Sequence, residues 1–187
     1  MDILAHSRMR NLSVPDQLFS YADASRSASA VMCQKMKSDV LLRTWPNAAV
    51  VLMLAAPAME HFLKGALFTR DSTTNIWDYY HGISDLSAEY ELQFPEPQFK
   101  WEIPLTSGFS DVERRAWMTD VHPCLTEAQL NGLKLATPAP SILYRYPTDN
   151  GGGRVWHGLY GFESHVFLLL LSQVENDFDR IKSQLHP

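Results

Sequence analysis

The chain has 187 residues, 45% of them apolar, 11% aromatic and 20% charged, with two cysteines and a formal net charge of −5. That is enough apolar material for one domain with a full core. With 16 Lys and Arg against 21 Asp and Glu, bulk charge excludes a protein that coats nucleic acid through a basic surface, but it leaves room for a local basic cleft.

Met1–Pro15 has no apolar stretch of signal-peptide length, so cytoplasmic residence is expected. Cys33 and Cys124 form no CxxC or Cys/His cluster, so neither a disulfide framework nor a thiolate metal site is indicated. Ser13-Val14-Pro15-Asp16 carries the signals of a helix start: a capping serine, an early proline and a carboxylate three residues after the cap. The helix is expected to run to about Lys37. Its middle, Ser20 to Ala30, is crowded with Ser and Ala, which suits either a close seam with another helix or subunit, or a weakly packed outer helix. The small apolar area per residue favours the outer helix.

A second helix is expected from Thr44–Asn47 to about Thr69. It is apolar on all sides from Ala48 to Met59, so it reads as the central buried helix, with Pro57 expected to kink it. That apolar run is shorter than the roughly 20 residues that cross a bilayer, so no membrane span is expected. Ile83, Leu86 and Tyr90, spaced three and four apart, predict a third helix ending before Pro95.

The texture then changes. Six of the eleven prolines, Pro95, Pro97, Pro104, Pro123, Pro138 and Pro140, fall within residues 93–140. This reads as an insertion in a single domain, with short helices fitting at Ser110–Met118 and Leu125–Leu133. Ile142 to Tyr146 and Arg154 to Leu159, separated by Asp149-Asn150-Gly151-Gly152-Gly153, predict a β-hairpin. The last helix, about Phe162 to Leu185, is amphipathic through Val166, Leu170, Val174, Phe178, Ile181 and Leu185, and is expected to pack on the second. The fold class is therefore mainly α: an antiparallel helical bundle with a proline-rich insertion and a small hairpin.

Chemistry is concentrated at few places. Glu60 and Lys64 are four apart toward the end of the most apolar helix, with His61 about 100° round. Buried, they form a costly polar island and a site candidate. Emerging into water, they are an ordinary exposed ion pair, and this is what the sequence favours. His81 opens the third helix beside Tyr79 and Tyr80, and either braces the turn or faces a ligand. Arg145, between Tyr144 and Tyr146, either faces solvent from a strand or holds a phosphate or carboxylate with aromatic walls beside it. The glycines at 151–153 match neither GxxxxGK[ST] nor GxGxxG and read as a turn. His157, Glu163 and His165 lack the spacing that puts two metal ligands on one helix face, so no metal site is expected. No nucleophile elbow is present.

A buried helix ending in Glu60-x-x-x-Lys64, then His81-Gly82-Ile83-x-x-Leu86, then Leu143-Tyr144-Arg145-Tyr146-Pro147 ahead of a long amphipathic helix, resembles the HEPN-like proteins of prokaryotic defence and toxin–antitoxin systems. The resemblance covers roughly Thr44 to Leu92 and Ser141 to Leu185. It implies a helical bundle, usually dimeric, that binds RNA or a nucleotide-like anion. Glu60, Lys64, His81 and Arg145 would converge on a cleft, with no cofactor. Active members cleave RNA without metal through an Arg followed by four to six residues and a His. Arg115 to His122 and Arg180 to His186 fit that spacing, so a metal-independent endoribonuclease is the alternative. A third reading is a non-catalytic interaction module with a dimer seam on its first or last helix.

Overall fold

The computed structural model describes residues 7–79, 82–106 and 162–185. These residues are mainly helical, with no strand among them. The predicted hairpin, the two short helices of the insertion, Arg115, His122, His81 and Arg145 lie outside the described residues.

A single turn, α1 (Ser7–Arg10), precedes α2 (Val14–Ser38). The cap of α2 forms as its sequence demands. Ser13 Oγ accepts the Asp16 backbone N–H at 3.2 Å and donates to the Asp16 carboxylate at 2.5 Å, while Pro15 occupies a position where no N–H is needed. A 3-10 turn, Val40–Leu42, reverses the chain into α3 (Trp45–Arg70). Arg43 fastens this turn by donating from Nε to the Met36 carbonyl at 3.0 Å and from Nη2 to the Lys37 carbonyl at 2.8 Å, which satisfies two carbonyls left open at the end of α2.

α2 and α3 run antiparallel. Phe19 meets Phe62 with ring centroids 5.4 Å apart, and further along Ser29 Oγ donates to the Val51 carbonyl at 2.9 Å. After Leu18 and Phe19, the buried positions of α2 are Ala22, Arg26, Ser29, Cys33 and Met36, a 4-3-4-3 spacing that keeps one face turned to its neighbours. The Ser/Ala-rich stretch is thus an inter-helix seam and not the weakly packed outer helix its composition suggested. Small side chains contribute little area each, but Ala22, Ser29 and Cys33 are fully buried because their size lets the backbones approach.

α3 is the core helix, as expected, with fourteen buried residues from Ala48 to Leu67, and it is continuous through Pro57. By length and composition it would also qualify as a membrane span, and 72% of its most apolar stretch is buried inside the bundle. α4 (Ile83–Gln93) packs against α3 through Ile83, Leu86 and Tyr90. The segment after it turns through Phe94 and a 3-10 turn, Pro97–Phe99, and is held by Tyr90, whose hydroxyl donates to the Phe99 carbonyl at 2.9 Å in the interior.

α5 (Ser164–Leu185) lies antiparallel to α2 and closes the bundle. Asp23 pairs with Lys182 at 2.9 Å, and Arg26 with Glu175 at 2.6 Å. α5 packs on α3, as expected, and contacts α2 more extensively. Phe178 still reaches α3, stacking on Phe62 with centroids 3.8 Å apart and planes 1° from parallel.

Candidate functional site

Lys64 and Glu60 sit one turn apart on α3, and their side chains are only 5% and 6% exposed. Nζ donates to Oε1 at 2.8 Å. The expected exposed pair is therefore a buried one. The helix does not emerge into water at residue 60, because Met59, Phe62, Leu63, Ala66 and Leu67 around the pair are all fully buried. A carboxylate and an ammonium buried together offset each other's desolvation, which for either charge is several kcal/mol. The pair is neutral as a unit. Its reach toward the surface runs through Trp77, whose ring lies 5.5 Å from Lys64 Nζ in cation-π geometry while the residue remains 60% exposed.

The loop carrying Trp77 is locally ordered. Asp71 accepts the Thr73 N–H at 2.8 Å and the Thr73 hydroxyl at 2.6 Å, and these bonds hold its carboxyl below the usual aspartate range. Ile76 anchors the loop in the core at 0% exposure. His61, next to Glu60, is partly buried and faces Tyr21 of α2, with ring centroids 5.8 Å apart. It thus turns toward α2, and Tyr21 is itself half exposed.

Of the four ligand-binding residues expected from sequence, Glu60 and Lys64 are brought together, and His81 and Arg145 fall outside the described residues. Trp77 was not singled out. The visible signal was an aromatic residue in a polar turn, but nothing in the sequence ties a loop tryptophan to a lysine thirteen positions earlier. Arg180, half of one candidate nuclease motif, is fully engaged: it donates to the Gln98 and Lys100 carbonyls and pairs with Asp177 at 2.8 Å. It straps the 97–101 segment to α5. Among the described residues no group of three His, Cys, Asp or Glu side chains is placed to hold a metal ion.

A separate cleft of about 410 Å³ opens at the far end of α3, lined by Met36 and Lys37 of α2, Arg43 and Thr44 of the turn, Trp45 and Ala48 of α3, and 162–165 at the start of α5. It escaped the sequence reading because its walls come from three elements remote in the chain. Compared with known protein families, curated proteins and solved structures, the chain matches none.

Proposed function

We propose that this is a HEPN-like helical-bundle protein, dimeric and cytoplasmic, that binds RNA or a nucleotide-like anionic ligand without established catalysis. The observation that supports the reading most is the exposed Trp77 indole resting on the buried Lys64, which Glu60 holds in place. An aromatic face fixed from beneath and open above is a stacking platform for a base, worth about 1–3 kcal/mol per stacked base. In this reading Glu60 and Lys64 are positioning residues, His81 follows Trp77 by four residues in sequence, and Arg145 supplies the charge for phosphate. Val31 on α2 and Val166 and Leu169 on α5 are exposed apolar side chains in keeping with a self-association surface.

The test is a titration of a short single-stranded RNA and of nucleoside phosphates against wild type, Trp77→Ala and Arg145→Ala at low salt. Binding about tenfold weaker in each variant, and weaker again as salt is raised, is the expected result. Superimposable curves for all three proteins refute the reading. The same RNA should stay intact through long incubation, and cleavage that persists in chelator and disappears in His122→Ala would establish the endoribonuclease instead.

A further inference from the structure

The cleft at the other end of α3 has a chemistry of its own. From Ala48 to Glu60 is twelve residues, about 18 Å along the helix at roughly 1.5 Å per residue, so the cleft shares no side chain with the Glu60–Lys64–Trp77 arrangement. Lys37, Arg43 and His165 stand around it. None of the three makes an ion pair with a carboxylate among the described residues, whereas the basic residues that stitch the helices together, Arg26, Arg70, Arg180 and Lys182, all do. Arg43 spends two donors on carbonyls of α2, which fixes its position without neutralising its charge. The cleft therefore sets two cations, Arg43 held by its backbone bonds and the exposed Lys37, against the carboxylate of Glu163, in a protein whose net charge is −5.

The rest of the lining is aromatic and apolar. Trp45 and Phe162 are each half-buried, packed against the core on one side, and Met36 and Ala48 form the buried floor. A volume of about 410 Å³ lies at the lower end of the range for small-molecule sites. A folded nucleic acid does not enter such a space. Glu163, also on the rim, is an acceptor that suits a ligand with a ring N–H or hydroxyl and penalises one with charge all round.

We propose that this cleft binds a small aromatic anion, a planar ring bearing one phosphate or carboxylate, with the ring against Trp45 and Phe162 and the anionic group at Lys37 and Arg43. His165 adds a donor at the opening. The site is independent of the RNA or nucleotide reading, since it uses none of that reading's residues.

The experiment titrates phenyl phosphate, benzoate and inorganic phosphate into the full chain at low salt, followed by amide and indole NMR shifts. Saturable shifts confined to residues 36–48 and 162–165 are expected with the two ring-bearing probes, with inorganic phosphate weaker by about tenfold for want of the ring. The tighter of the two ring-bearing probes identifies the anionic group. Lys37→Glu, a change at an exposed position, should weaken binding by about tenfold or more, and Trp77→Ala should leave it unchanged. Equal affinity in Lys37→Glu, shifts that map elsewhere, or inorganic phosphate binding as tightly as phenyl phosphate overturns the proposal.

Discussion

Lys64 Nζ lies 2.8 Å from Glu60 Oε1 inside the bundle, on successive turns of a helix where Met59, Phe62, Leu63, Ala66 and Leu67 around them are fully buried. Removing one partner breaks a buried ion pair, which costs about 3–5 kcal/mol. Lys64→Met and Glu60→Gln should each lower stability by that order in urea denaturation. The double variant Glu60→Gln/Lys64→Met should lose far less than the sum, because no charge remains to be desolvated. Single variants within 1 kcal/mol of wild type would mean that water reaches the pair.

Gly65 lets Phe19 of α2 pack directly on α3. A Cβ added there would stand 2.7 Å from Phe19 Cε1 and 3.0 Å from Phe19 Cδ1, inside contact distance. The ring has little freedom to yield, being 5% exposed and packed on Phe62. Alanine is the better helix former by about 1 kcal/mol, yet overpacking costs about 1–3 kcal/mol. Gly65→Ala should therefore be destabilising in thermal and chemical denaturation, and adding Phe19→Leu should recover part of the loss. A Gly65→Ala variant more stable than wild type would show that the two helices separate at little cost.

These two sites mark what the sequence reveals and what it hides. The helices were legible because their starts are written locally, in Ser13 to Asp16 and in Pro46, and because α3 has no polar face to leave outside. The buried face of α5 was read less well. A run of fours, Val166, Leu170, Val174, drifts about 40° per step at 100° per residue, and the structure instead buries Phe167, Leu171, Val174, Phe178 and Ile181, whose alternation of four and three holds one direction. Val166 is left 47% exposed. For the candidate site, the spacing of Glu60 and Lys64 predicted that they meet but not that they do so in the interior. Burial depends on what lies across from a helix, and neither Trp77 over Lys64 nor the three-element cleft has a signature in local spacing.

Cys33 is fully buried in the seam between α2 and α3, and burial raises its thiol to about 11. The thiolate is the reactive form, so almost none is present at neutral pH. Iodoacetamide applied to the native protein at pH 8 should leave Cys33 unmodified by peptide mass spectrometry, and should modify it once the chain is unfolded in denaturant. Rapid labelling of Cys33 under native conditions would show that α2 separates from α3 on the timescale of the reaction.

Arg70 donates to Glu96 Oε1 at 2.6 Å and lies over the Phe94 ring at 5.1 Å, tying the end of α3 to the segment that follows α4. The hydrogen bond from Arg70 is the chief reason the Glu96 carboxyl is held below the usual glutamate range, followed by a backbone N–H. A carboxyl lowered in the folded state contributes stability that is fully present above its unfolded value, about 4.3, and that disappears as pH falls through the lower folded value. Both partners are more than a third exposed, so the contribution is small and screened by salt. Carboxyl NMR titration should place Glu96 below ordinary glutamates in wild type and return it toward them in Arg70→Gln. The stability difference between the two proteins should shrink as the pH is taken below the folded Glu96 value, because the protonated carboxyl no longer distinguishes arginine from glutamine. An unshifted Glu96 in wild type would mean that Arg70 does not hold Glu96 in solution.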